Sequence, residues 1–236
     1  MNSAPKRARS VSEYSTELWA SHTLELRESR LRKALEMIDA EPRGRLLDIG
    51  CGHGEFGALL VGRGWKVAGV DLDPLQIAEA SKRGLDATQC DLTQGLPHGS
   101  GTFDVVFAGE VIEHIVDTDA FLAEVARVLR PGGAFVLTTP NLASFENRLR
   151  LLLGIYPIWV DHRLGGMGHV RAYTPGVLRR QLATHGLIVE KHRGNWVPFV
   201  PQRFIDDVKA PWLAATGDWL PGLAMDILMK ARRRDG

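Results

Sequence analysis

Cysteine is almost missing from this sequence. Two residues, Cys51 and Cys90, stand among 236, so a disulfide framework is excluded and a reducing compartment is expected. Excess charge is missing too. Lys and Arg number 29 against 28 Asp and Glu, leaving +1, which argues against a strongly cationic nucleic-acid binder and against an acidic disordered chain. Nor is there a long apolar run. The most hydrophobic stretch, 149–160, is about half of the ~20 residues that a spanning helix takes, and it contains Arg150, Gly154 and Pro157. A polar stretch follows Lys6, Arg7 and Arg9, so no secretory signal or transmembrane segment is expected and the expected location is cytoplasmic. What is left, 44% apolar and 24% charged, is an ordinary globular composition with enough chain for one sizeable core.

Organisation follows from periodicity. Residues 1–10 read as a disordered basic tail, and 11–236 as a single domain. Over 11–44 apolar residues recur at helical spacing (Tyr14, Leu18, Leu31, Leu35, Ile38) until Pro42 and Gly44 end the helical segment. The pattern then changes to short apolar, β-branched runs at 45–49, 66–70, 103–108 and 134–138, with a weaker one at 86–90. Helical stretches at 55–63, 74–83 and 118–129 separate them. Asp73-Pro74 is a helix start, and Arg130-Pro131-Gly132-Gly133 is a stop and turn. Alternating strand and helix predicts an α/β fold: an open, doubly wound, mostly parallel sheet whose ligands bind beyond the strand carboxyl ends. Residues 141–173 interrupt the alternation and read as a lid or substrate-facing insertion, its leucines explained by helix packing. A helix near 175–185, a strand near 187–191 and an apolar run at 225–229 complete the chain.

Leu46-Leu47-Asp48-Ile49-Gly50-Cys51-Gly52-His53-Gly54 is a strand entering a glycine-rich turn, where a ligand can approach backbone amides with no Cβ in the way. Gly52-x-Gly54-x-x-Gly57 fits a dinucleotide fingerprint formally. Asp48, at the strand end, would work against a diphosphate but suits a cation. Asp71, after the second strand, is placed for ribose hydroxyls, and Asp91-Leu92 for an adenine amino group. No tyrosine is followed four residues later by lysine, as a short-chain dehydrogenase would require. An adenosine bearing positive charge and no phosphate fits the set, and S-adenosylmethionine (SAM) is such a molecule.

These segments resemble the class I SAM-dependent methyltransferases. The resemblance is carried by 46–54, Val-Asp-Leu-Asp-Pro at 70–74, Cys-Asp-Leu at 90–92, Phe-Asp-Val-Val at 103–106 and Val-Leu-Arg-Pro-Gly-Gly at 128–133. It implies a Rossmann-like methyltransferase fold in which Asp48, Gly50 and Gly52 line the methionine end, Asp71 and Leu72 hold the ribose, and Asp91 and Leu92 the adenine.

Beyond the fourth strand comes Gly109-Glu110-Val111-Ile112-Glu113-His114. One helical turn would bring Glu110, Glu113 and His114 to a single face, where two carboxylates and an imidazole make most of a divalent metal site. Glu-x-x-Glu-His resembles the motif of ubiquinone-biosynthesis O-methyltransferases and of small-RNA 3′-terminal 2′-O-methyltransferases. In the RNA group a downstream histidine completes the metal site, and His169 could fill that place. The resemblance implies Mg²⁺ or Mn²⁺, whereas two imidazoles by themselves favour softer ions. Without metal, His114 or His169 would be a general base, with Glu110 touching cofactor or substrate. The expected reaction is O-methylation of a small hydroxylated acceptor: a catechol or quinone precursor, a sugar or a natural product. RNA 2′-O-methylation is the alternative within the class, though balanced charge gives little grip on phosphates; a SAM-binding protein without chemistry is the alternative outside it. Phe145, Tyr156 and Trp159 of the insertion, with Trp196, Phe199 and Trp212 downstream, are expected to line an apolar acceptor pocket, which leaves a lipid-tailed acceptor open. Oligomeric state is not legible.

Overall fold

Seven strands form one sheet in this computed structural model, which describes residues 28–160, 168–199 and 210–234. The expected tail, and the part of the first helix holding Tyr14 and Leu18, lie outside the described residues. The strands are β1 (Arg45–Ile49), β2 (Lys66–Asp71), β3 (Asp86–Gln89), β4 (Phe103–Gly109), β5 (Leu129–Pro140), β6 (Leu187–Gly194) and β7 (Asp226–Arg233). Their order is β3-β2-β1-β4-β5-β7-β6. β1 to β5 pair in parallel, and β7 runs antiparallel to both of its neighbours. The expected apolar run at 225–229 thus belongs to a strand slotted between β5 and β6. Its composition explains the place: Ile227, Met229 and Ala231 enter one core layer and Leu228 the other, as a strand covered on both faces must.

The same alternation divides the central strands. Val105 and Phe107 of β4 face a layer made by α1 (Ser29–Asp39), α2 (Glu55–Gly62) and α3 (Pro74–Lys82). Val106 and Ala108 face α4 (Thr118–Val128) and α6 (Pro175–Thr184). Strand order reverses between β1 and β4, so the crevice at that switch point opens at their carboxyl ends. Gly133 lies in a more complicated setting than a turn ahead of a strand. β5 already begins at Leu129, paired with Phe103, and register resumes at Val105 with Ala134. The Arg130–Gly133 residues bulge out between, with Gly132 at φ 69°, as only glycine adopts freely.

α1 carries a lysine no periodicity argument would bury. Lys33, only 2% exposed, donates from Nζ to the carbonyls of Gly194 (2.7 Å), Asn195 (3.0 Å) and Ala214 (2.5 Å) and pairs with Asp218 at 3.1 Å. It ties α1 to the end of β6 and to α7 (Ala214–Trp219). Lys33→Met is expected to cost about 3–5 kcal/mol, because three buried carbonyls lose their donor together while Asp218 keeps only Arg193. Urea denaturation at pH 7 measures this, and a loss under about 1 kcal/mol would show the clamp to be dispensable.

The 141–173 insertion begins with α5 (Phe145–Leu152), capped by Ser144; residues 161–167 lie outside the described set. An isolated parallel bridge between Asn141 and Tyr173 joins its two ends. Helix packing does not explain its leucines. The residue α5 buries is Asn147, while Leu151, Leu152 and Leu153 are 55%, 81% and 72% exposed. The polar face points inward because the loop backbone beneath it offers amide and carbonyl partners.

Candidate functional site

β1 ends in a turn whose glycines all take left-handed backbones, Gly50 at φ 70°, Gly52 at φ 54° and Gly54 at φ 83°. The amides of Gly50 and Cys51 share the Val70 carbonyl at 2.8 and 3.1 Å, which pins the turn to β2. A Cβ on Gly50 would come within 2.7 Å of the Val111 side chain, so this glycine also brings the β4 loop close to the cradle. Asp48 is buried, its Oδ2 has no hydrogen-bond partner, and burial, then the charge of Asp71, push its carboxyl up to about 8. A buried orphan carboxylate is the signature of a missing cationic partner. The sulfonium and ammonium groups of SAM supply such charge, and the residues present fit it.

Asp71 accepts from Gly52 N through Oδ2 and from Asp73 N through Oδ1, both at 3.0 Å. Burial pushes its carboxyl up and these amides act the other way. The cap of α3 is Asp73, accepting from Leu75 N at 2.8 Å, which leaves Asp71 to brace the glycine turn. Asp91 is exposed and caps a 3₁₀ turn at Leu92–Gln94. Leu72 and Leu92 are half-buried beside these carboxylates. Gln76 escaped the sequence reading. It is buried with Oε1 lying 3.4 Å from where a Cβ on Gly52 would stand, and a glutamine inside a helix gives no sign of that.

The expected single helical face of Glu110, Glu113 and His114 does not form. Glu110 sits at φ 56°, in the left-handed region, and a 3₁₀ turn follows at Ile112–His114. Breaking the helical phase there sends Glu110 elsewhere: Thr138 Oγ1 donates to its Oε1 at 2.8 Å, and Arg30 lies 3.7 Å away. Arg30, at the start of α1, also reaches Asp226 and Glu28. Burial opposes its charge, yet those three carboxylates prevail and raise its pKa.

Glu113 and His114 instead meet His169. One ligand atom from each lies within 4.8 Å of the others, and among the described residues this is the group able to hold a metal ion. Glu113 is buried, with Oε2 accepting from Thr139 Oγ1 at 3.0 Å and Oε1 lacking a hydrogen-bond partner. Burial, then Glu110, push its carboxyl well above the usual range. The imidazoles lie 4.9 Å apart between centroids, tilted 66°. Nδ1 of His114 meets the Gly168 carbonyl at 3.1 Å and Nδ1 of His169 the Trp159 carbonyl at 2.8 Å. A carbonyl only accepts, so both neutral rings carry hydrogen on Nδ1 and a lone pair on Nε2. Ligating histidines are held this way, so the donor set fits a divalent ion with three ligands rather than the expected four. Val170 N and Arg171 N both donate to the Glu113 carbonyl, at 2.8 and 3.0 Å, which clamps the His169 loop over the 3₁₀ turn.

Beside this group a cleft of about 210 Å³ is lined by Pro140, Leu142, Ile158, Trp159, Val160, Arg171 and Ala172. Of the aromatic residues expected there, Trp159 lines the cleft and the downstream ones do not. Trp196 is buried in a satellite core with Ala210, Leu213 and Met225, and Phe199 and Trp212 are exposed. They fall after β6, and chain order alone does not say which loops meet the crevice.

The sheet order and the glycine cradle at its switch point define a Rossmann-like fold of the class I methyltransferase type. The chain belongs to the methyltransferase-domain family, whose model, described as "Methyltransferase domain", matches residues 20–192. It is 39% identical over 103 residues to the ubiquinone biosynthesis O-methyltransferase of Caulobacter sp. (strain K31), covering 41% of each protein. The corresponding enzyme of Aeromonas salmonicida is 31% identical over 157 residues, with 64% of this chain and 65% of that one covered. Nocamycin O-methyltransferase of Saccharothrix syringae is 38% identical over 118 residues, 46% of this chain and 42% of the other. The chain therefore spans less than two thirds of the length of these curated relatives. Among solved structures, a SAM-dependent methyltransferase of Mesorhizobium loti superposes with a TM-score of 0.61 at 21% identity, over 87% of this chain and 98% of that one. The 1,6-didemethyltoxoflavin-N1-methyltransferase of Burkholderia thailandensis, with bound 1,6-didemethyltoxoflavin and S-adenosylhomocysteine, gives a TM-score of 0.60 at 19% identity over 95% of this chain and 85% of that one.

Proposed function

We propose that this protein transfers the methyl group of SAM to a hydroxyl oxygen of a small acceptor, with Glu113, His114 and His169 holding a divalent cation beside that oxygen. The observation that carries the reading is the meeting of one buried carboxylate and two imidazoles of matched tautomer within 4.8 Å. Asp48, Gly50 and Gly52 take the methionine end of SAM, Asp71 and Leu72 the ribose, and Asp91 and Leu92 the adenine. A divalent ion supplies Lewis acidity, lowering the pKa of a bound hydroxyl and fixing its orientation.

The chain's own part is alignment. As the oxygen lone pair forms the new O–C bond, the S–C pair returns to sulfur, leaving S-adenosylhomocysteine, and the hydroxyl proton passes to a base. Holding the two reactants in line can supply roughly 7–11 kcal/mol of the barrier. The cleft is narrow, bordered from the insertion by Leu142, Ile158, Trp159, Val160, Arg171 and Ala172, which favours a small acceptor. Two imidazoles and one carboxylate favour Mn²⁺ or a softer ion over Mg²⁺. The O-methyltransferase relatives and the near-zero charge support a small acceptor in preference to RNA.

Labelled SAM offered with a panel of catechols, sugars and short RNAs, with and without EDTA, tests this. Transfer to a vicinal diol or catechol that stops on chelation and returns with Mn²⁺ or Co²⁺ is the expected result, SAM binding remaining intact throughout. Full transfer after exhaustive chelation, with no metal by elemental analysis, would leave a metal-free histidine base. Transfer to RNA alone would overturn the small-acceptor reading.

A further inference from the structure

The two carbonyls that hold the imidazoles share an unusual property. Both come from residues with left-handed backbones, Gly168 at φ 81° and Trp159 at φ 64°. Glycine takes this conformation freely, whereas for tryptophan it is strained and persists only where the surroundings over-determine it. They do so here. Asn147 of α5, 1% exposed, grips the preceding residue on both sides: its Oδ1 accepts from Ile158 N at 2.8 Å and its Nδ2 donates to Ile158 O at 3.3 Å. Nδ2 also reaches the Asn141 carbonyl at 3.4 Å, where the chain leaves β5. On the other side, Ile158 and Trp159 pack against the satellite core of Trp196, Ala210, Leu213 and Met225.

We propose that Asn147 and the strained Trp159 peptide form a positioning relay, which aims the Trp159 carbonyl at His169 Nδ1 and so presents Nε2 of His169 toward Glu113 and His114. Asn147 and Trp159 are positioning residues here, and the role rests on reading His169 as a site residue. A glycine at 159 would hold the carbonyl without strain; tryptophan in its place also lines the acceptor cleft. Through the relay, α5 and the imidazole next to the cleft move as one unit.

Imidazole ¹⁵N–¹H correlation spectra of the metal-free protein at pH 8 read the tautomer directly. The wild type is expected to show His169 with hydrogen on Nδ1. Trp159→Gly, which keeps a left-handed peptide available, should retain that signature. Asn147→Leu, which removes the grip, should give a mixture of tautomers and weaken Mn²⁺ binding, by calorimetry, by about 10–100-fold, the loss typical of disturbed outer contacts. Should Asn147→Leu fail to fold, Asn147→Asp keeps the acceptor and lacks the donor, and is expected to shift the spectrum in the same direction. An unchanged tautomer in the folded Asn147 variant, or a shift in Trp159→Gly as large, overturns the relay. His169→Ala with undiminished Mn²⁺ affinity would overturn the metal reading instead, and the tautomer spectra, recorded without metal, separate the two.

Discussion

Asp48→Asn is expected to stabilise the ligand-free protein at pH 8 and to abolish most of its thermal response to SAM. The folded carboxyl titrates near 8 because of burial and then Asp71, against about 3.9 in an unfolded chain. Between those values the folded state keeps a proton that the unfolded state releases. Stability of the free protein therefore falls as pH rises from about 4, and the cost is complete above about 8. At roughly 1.4 kcal/mol for each tenfold, the full cost is on the order of 5 kcal/mol. Asparagine stays neutral, so its advantage should be small at pH 5 and several degrees of melting temperature at pH 8. SAM reverses the balance by giving the carboxylate a cation, so wild-type affinity should rise with pH toward 8, and the variant should lose both that slope and the ligand-induced shift. A variant melting alike at both pH values relative to wild type, or one still stabilised by SAM, would remove Asp48 from the cofactor site.

Alanine at His114 or at His169 is expected to lower turnover by about 10²–10⁴-fold while leaving the SAM dissociation constant nearly unchanged. The imidazoles sit on the loops after β4 and before α6, while the cofactor contacts proposed above come from β1, β2 and β3 and the turns after them. If the three side chains share a metal, Glu113→Ala behaves likewise and all three lose Mn²⁺ affinity together. If one histidine is a metal-free base, only that substitution gives the large loss. Single-turnover rates with saturating SAM, set beside calorimetric metal titrations, decide between them. Turnover close to that of the wild type in all three variants would mean that the chemistry lies elsewhere. Glu110→Ala separates the expected ligand set from the observed one. With Glu110 held by Thr138 and Arg30, its loss should affect metal affinity less than loss of Glu113.

Much of this protein was legible along the chain because the information was local. Apolar runs of β-strand length alternating with helix-length stretches predicted the parallel sheet at β1, β2, β4 and β5. Asp48 before the glycines and Asp71 at the last position of β2 are strand-end groups in sequence and structure alike, since a strand end is where a short apolar run meets a turn. Asp73-Pro74 marked the start of α3 for the same reason.

Other features came only from tertiary structure. Helical spacing put Glu110 with Glu113 and His114, but the left-handed backbone at Glu110 places it with Arg30 and Thr138, partners distant in sequence. His169 is a candidate in the sequence only through the resemblance to the RNA group's downstream histidine; the amides of Val170 and Arg171, bound to the Glu113 carbonyl, are what hold it there. Nothing in the sequence singles out Lys33 or Asn147. They are buried because backbone carbonyls and amides from β6, α7 and the loop after α5 converge on them. Periodicity reports which face of an element avoids water. It does not report which unpaired backbone group, folded in from far along the chain, will meet a polar side chain there, and such meetings are what separate the expected site from the one this fold builds.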